Sequence, residues 1–152
     1  MPPLIFNEVE ADGNRRSGEA RSVFMKIIVI RHGETEENAK HILMGHRQGT
    51  LSRRGRAQAK SLARKLRHMK IDSIFSSDLR RARDTTREIA RYHDVPIFYT
   101  KALREQNYGV FQGRHVEEFL AAQKSKRGSA SKLEGGESLS DVRQRVKEFI
   151  EG

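Results

Sequence analysis

Arg31-His32-Gly33 sets a permanent cation, a titratable imidazole and a turn residue side by side, directly after the apolar run Ile27-Ile28-Val29-Ile30. A neutral imidazole nitrogen can attack phosphorus and carry the phosphoryl group as a covalent intermediate. That chemistry needs the other ring nitrogen held by an acceptor. The planar fork of Arg31 can take two phosphate oxygens and stays charged at any relevant pH. Gly33 lets backbone approach a ligand closely. A second cluster, Ser76-Ser77-Asp78-Leu79-Arg80-Arg81-Ala82-Arg83, places cations in the first turns of an expected helix. The helix dipole disfavours cations there, whereas a phosphate at that end would be held by N–H groups and arginine together. Arg81 lies off the apolar stripe; Arg80 and Arg83 read as solvent-exposed or ion-paired. The third candidate is Glu105, a loop carboxylate in Leu103-Arg104-Glu105-Gln106-Asn107-Tyr108-Gly109. It could protonate a leaving alkoxide; taken alone it reads rather as a surface glutamate.

These side chains need a scaffold. The residues from Lys26 to Ile30 read as a buried strand. A basic helix is expected from Arg53 to Arg67, with Ser52 as N-cap and Ala59, Leu62, Ala63 and Leu66 on its inner face. Ile71 to Phe75 reads as a second strand. Ser76-Ser77-Asp78 offers capping oxygens to a helix whose stripe is Leu79, Ala82, Thr86, Ile89, Ala90 and His93. Val95 to Tyr99 reads as a third strand, placed near a sheet edge by Pro96. A loop from Leu103 to Gly113 and a helical piece from Val116 to Ala122 follow. Ser138 or Ser140 starts a last amphipathic helix carrying Leu139, Val142, Val146, Phe149 and Ile150. This alternation predicts an α/β fold, a three-layer α/β/α arrangement around a mainly parallel sheet. Open sheets of this kind bind ligands at the C-terminal ends of their strands, where Arg31-His32 falls.

The bulk properties fit one domain. Of 152 residues, 30 are basic and 20 acidic, a net charge of +10 that favours anionic partners or reflects solvated arginine-rich helix faces. There is no cysteine, hence no thiolate nucleophile and no Cys-based metal site. No apolar run is long enough to span a bilayer, and a cytoplasmic setting is expected. Residues 1–24 read as a flexible extension ahead of a domain at 25–152, with the polar Asp12 to Glu19 stretch at its centre. The cation-rich helix from Arg53 to Arg67 raises a nucleic-acid-binding module as a competing class. The lack of interleaved aromatics and of any nucleic-acid motif argues against it.

Several short motifs occur in a fixed order: Arg31-His32-Gly33-Glu34-Thr35 with Asn38, the Gly45 loop, Ser77-Asp78-Leu79-Arg80-Arg81-Ala82, Leu103-Arg104-Glu105 with Tyr108-Gly109 and Gln112-Gly113, and Gly135-Gly136-Glu137-Ser138. Together they resemble the histidine phosphatase superfamily, with its phosphoglycerate mutase-like fold, over about residues 25–150. The resemblance implies that His32 is the phosphorylated nucleophile, Arg31 and Arg81 the phosphate clamp, and Glu105 the proton donor. Asn38 and the Gly45 backbone would line the substrate side. It implies a small phosphorylated substrate, no cofactor and no metal, the cations supplying the positive charge.

The family pattern also contains a second pocket histidine in a Ser-His-Gly or Ala-His-Gly motif after a late strand that lies beside the first. No such motif is present up to Gly152. The expectation is a C-terminally shortened member with little or no turnover and an unpaired edge on its first strand. Gln48 and Thr50 stand where many relatives resemble Asp and Pro, which bears on the stiffness of that loop. Mutases of the family resemble one another in a long insertion before the Gly-Glu-Ser region; here only residues 114–134 fill that interval, which favours hydrolysis over a mutase reaction. Arg114, Lys124, Lys126 and Arg127 are candidates for a basic lid, or simply a solvated loop.

Overall fold

The computed structural model describes residues 6–12, 24–125 and 133–152. Strand β1 (Phe6–Asp12) pairs antiparallel with β2 (Phe24–Ile30), Phe6 opposite Ile30 and Asp12 opposite Phe24. After β2 come a short helix α1 (Glu36–Ala39), α2 (Arg53–Leu66), β3 (Ile74–Ser77), α3 (Arg80–Ala90) and β4 (Ile97–Thr100). Two 3-10 turns, Lys101–Leu103 and Gly109–Phe111, lead to α4 (Val116–Ser125) and α5 (Leu139–Glu151). Strands β3 and β4 pair in parallel, Ile74 opposite Ile97 and Ser77 opposite Thr100.

The alternation of side chains along β3 builds the layers. Ile74 packs on the cluster of Leu62, Ala63, Leu66 and Ile89 between α2 and α3, where Ile30 of β2 and Met69 join it. Ser76, on the same face, accepts a hydrogen bond from Thr86 of α3 at 2.9 Å. Phe75 points the other way, stacks on Phe98 at 5.0 Å and meets Phe149 of α5 edge-on at 5.6 Å. Helices α2 and α3 therefore cover one face of the strands and α5 the other.

Some expectations shift. Among the described residues the strands form two separate two-stranded sheets, one parallel and one antiparallel. No element was foreseen at Phe6–Asp12, where β1 forms; the rest of the polar Asp12 to Glu19 stretch lies outside the described residues. Strand β2 is not buried on both faces: Ile30 packs on the α2–α3 cluster, whereas Val29, pointing to the other face, is 53% exposed. The second strand lies further along the chain than expected, and Ser76 and Ser77 belong to it rather than to a cap. Helix α3 starts after Leu79 with no side-chain cap of its own. Its first N–H groups are taken from outside: Arg80 N–H donates to Gln48 Oε1 at 2.9 Å and Arg81 N–H to Gln48 O at 3.3 Å. Gln48, the departure from the family pattern, thus caps α3, and those N–H groups are not turned toward a phosphate. By contrast, Ser52 caps α2 and Ser138 caps α5 as expected, the latter in a reciprocal box with Asp141.

The loop after β2 is pinned to the start of α2. Glu34, almost fully buried, accepts from Ser52 Oγ at 2.8 Å, and its backbone N–H donates to Gln58 Oε1 at 2.9 Å. Gly33 and Gly55 make this contact possible. A Cβ on Gly55 would lie 1.9 Å from Glu34 O, and one on Gly33 would lie 2.5 Å from Gly55 O. The absent side chain of Gly33 therefore admits helix α2 rather than a ligand. Gly55→Ala is accordingly expected to destabilise the fold by about 2 kcal/mol, the overpacking outweighing the roughly 1 kcal/mol that alanine gains in a helix. Urea unfolding checks this; a stabilised variant would refute the close approach.

Candidate active site

His32 sits at the C-terminal end of β2, as strand-end chemistry in α/β folds requires. Its Nδ1 lies 2.7 Å from Gly33 O. A carbonyl can only accept, so the ring proton resides on Nδ1 and Nε2 keeps its lone pair. Burial pushes the His32 pKa down from 6.5 to about 4; the Gly33 carbonyl opposes that shift, and Arg81 and Arg31 add to it. At neutral pH the imidazole is therefore uncharged, with its lone pair on Nε2.

The lone pair faces Arg81, whose Nε–H donates to it at 3.1 Å. Arg81 is 2% exposed, one of the most buried side chains of the protein. Its Nη2 also donates to Gly45 O at 2.9 Å and to Glu105 Oε2 at 3.2 Å, and its Nη1 donates to Arg47 O. One guanidinium thus ties His32 to Glu105 and to the Gly45 loop. Glu105 is partly exposed, and its other oxygen accepts from Tyr108 OH at 3.3 Å. Burial, with the neighbouring Glu105 carboxylate, raises the Tyr108 phenol to about 12, so it remains a donor at neutral pH.

These groups open on a cleft of about 360 Å³. Arg31, His32, Asn38 and Glu105 line it together with an apolar wall of Ala39, Ile42, Leu43, Met44 and Val116. The wall is stiffened by backbone bonds between residues 41–43 and 113–116, including Gly113 N–H to Leu43 O at 2.7 Å and Val116 N–H to His41 O at 2.9 Å. Asn38 Oδ1 accepts from Thr35 N–H at 3.2 Å, closing a capping box at α1. Gly45, with φ +52°, is not in the cleft lining; its carbonyl holds Arg81, and a Cβ there would strike Gln112 Oε1 at 2.3 Å.

Four of the six residues expected at the site therefore line the cleft, Arg31, His32, Asn38 and Glu105, while Arg81 lies behind it, bonded to His32 and Glu105. Gly45 acts one step behind them. Arg80 is ion-paired with Asp84 at 3.6 Å and Arg83 lies over the Tyr99 ring at 4.5 Å. Of the basic lid candidates, Arg114 is paired with Glu118 at 3.7 Å, and Lys126 and Arg127 lie outside the described residues. Sequence reasoning missed Thr85, whose hydroxyl accepts the Gly33 N–H at 3.1 Å and donates to Arg81 O at 2.9 Å, linking the loop after β2 to α3. It also missed His46, Glu137 and Arg145, which brace the Glu105 loop. Glu137 stands in a quoted motif, but nothing in the spacing of Arg145 distinguishes it from any helical arginine.

Residues 27–152 match the family model of the histidine phosphatase superfamily (branch 1), and the chain belongs to that family. It is 37% identical to a broad-specificity phosphatase of Saccharomyces cerevisiae over 84% of its own length and 57% of the relative's. It is 30% identical to a probable phosphoglycerate mutase of Escherichia coli over 84% of its length and 62% of that protein. Among solved structures, it is similar to a mycobacterial glucosyl-3-phosphoglycerate phosphatase complexed with VO3, with a TM-score of 0.71 at 30% identity, covering 79% of this chain and 60% of that one. The chain spans about three fifths of the length of these relatives. The α/β, phosphoglycerate mutase-like fold follows from this membership. Among the described residues no helix is long and apolar enough to cross a membrane.

Proposed function

We propose that this protein hydrolyses small phosphomonoesters through a phosphohistidine on His32. The observation that carries the reading is the buried Arg81, bonded at once to His32 Nε2 and to the Glu105 carboxylate. A bound phosphate draws the Arg81 N–H groups onto its own oxygens, which frees the His32 Nε2 lone pair to attack phosphorus while the ester P–O bond breaks. Arg31 and Arg81 hold the phosphoryl oxygens, whose charge they match. Glu105, protonated in the complex with substrate, gives its proton to the departing alkoxide. Water then attacks the phosphohistidine and delivers a proton to Glu105, releasing inorganic phosphate and restoring the imidazole. No step in this scheme is routed through a metal.

Incubation with ³²P-labelled p-nitrophenyl phosphate tests the reading. A label that is lost in acid, kept in alkali and mapped to His32 supports it, even if turnover is slow. A label on a carboxylate, or none, overturns it. Release of phosphate rather than its transfer to a second alcohol distinguishes hydrolysis from a mutase reaction.

A further inference from the structure

Glu105 lies in a segment without helix or strand, so its place must be imposed by contacts. Arg81 and Tyr108 hold its carboxylate and Arg104 beside it is paired with Asp78, while Arg145 of α5 holds the backbone. Its Nη1 donates to Ala102 O at 2.6 Å and its Nη2 to Glu105 O at 3.0 Å, so one guanidinium holds both ends of the 102–105 segment. Glu137 in turn fixes that guanidinium, accepting from Nε at 2.9 Å and from Nη2 at 3.1 Å. The same carboxylate accepts the Asn107 N–H at 2.8 Å, and Glu137 O accepts from Gln106 Nε2 at 2.7 Å. His46 Nε2 completes the brace, 2.9 Å from Glu105 O and 3.6 Å from the Glu137 carboxylate. Both Arg145 and Glu137 are largely shielded from solvent, their side chains 18% and 20% exposed. An ion pair so shielded, with a bidentate fork, holds its geometry far better than an exposed one.

From this geometry we infer that Arg145, oriented by Glu137, is a positioning residue that sets the Glu105 carboxyl against the leaving group. The inference rests on the proposed role of Glu105 as general acid. Proton donation tolerates little displacement: a shift on the order of 1 Å can cost about 100-fold in rate.

The test exploits the leaving group. An alkyl phosphate needs a proton donor, whereas p-nitrophenolate is a stable anion and needs little help. Single-turnover release is measured with 2-phenylethyl phosphate and with p-nitrophenyl phosphate for the unaltered chain, Glu105→Gln, Arg145→Ala and Arg145→Lys. Glu105→Gln is expected to lose roughly 100-fold or more with the alkyl ester and far less with the nitrophenyl ester. Arg145→Ala should show the same selectivity, on the order of 10- to 100-fold with the alkyl ester. Arg145→Lys, which keeps charge but not the fork, should fall between. Equal effects of Arg145→Ala on the two esters, while Glu105→Gln remains selective, would overturn the positioning role and leave the acid intact. An unselective Glu105→Gln would overturn the acid assignment itself, and no release by the unaltered chain would overturn the proposed hydrolysis. If Arg145→Ala does not fold, Arg145→Gln is read by the same comparison.

Discussion

His32→Ala is expected to abolish both the acid-labile label and phosphate release, by at least about 10⁴-fold, since a covalent route cannot proceed without its nucleophile. The more discriminating result is the pH dependence of the unaltered chain. A free imidazole near 6.5 would be mostly protonated at pH 5, but His32 is held at about 4 by burial. Labelling should therefore persist at pH 5 and fail only toward pH 4, where Nε2 gains its proton. The same shift carries a stability consequence. Between pH 6.5 and about 4 the unfolded chain binds a proton at His32 that the folded chain refuses. Folding stability thus falls as pH drops through that window, by up to about 3 kcal/mol below it, and is whole above pH 6.5. His32→Ala lacks that loss, so its unfolding free energy should be less sensitive to acid than that of the unaltered chain. Urea titrations at pH 7 and pH 4.5 measure the difference. An identical acid dependence in the two proteins would mean that His32 is not held neutral by the fold.

What could be read from sequence, and what could not, divides by range of interaction. Helix α2 was legible because its cap Ser52 and its buried Ala59, Leu62, Ala63 and Leu66 are local, periodic signals. Helix α5 was legible for the same reason, through Ser138 and Asp141. The boundary of β3 was not, since Ser76 and Ser77 look like turn residues until Thr86 and Leu79 supply partners for their hydroxyls. The cap of α3 was invisible because Gln48 lies more than thirty residues upstream. At the site, His32, Arg31 and Glu105 could be named from residue type and neighbours alone. The role of Gly45 could not, because a carbonyl oxygen leaves no trace in a sequence. Arg145 shows the same limit more sharply: it belongs to the surface pattern of an amphipathic helix until the 102–105 carbonyls are folded against it.

Arg81 is where site chemistry and fold stability meet, and its loss should be the most damaging single change to both. A cation in the first turn of α3, with no acidic residue beside it, has little local reason to be buried. It is 2% exposed only because acceptors from three distant segments surround it: Gly45 O and Arg47 O from one loop, Glu105 from another, His32 from the end of β2. Arg81→Ala removes every one of those bonds at once. It leaves two carbonyls and a carboxylate without their donor, and a cavity where the side chain lay. The Glu105 carboxylate, 44% exposed, can rehydrate, so the cost comes from the orphaned carbonyls and the cavity, about 2–4 kcal/mol. For a domain of this size that corresponds to a fall in Tm on the order of 10 °C. The His32 label should vanish as well, since the phosphoryl group loses its buried cation and Glu105 loses its tether. Arg81→Lys separates the two effects. Its ammonium restores a charge near Glu105 but cannot reach Nε2 of His32 and both loop carbonyls from a single point. Part of the stability should return without the label. A lysine variant that labels His32 at the parent rate would show that charge alone suffices there; an alanine variant with an unshifted Tm would show that the guanidinium does not organise the site.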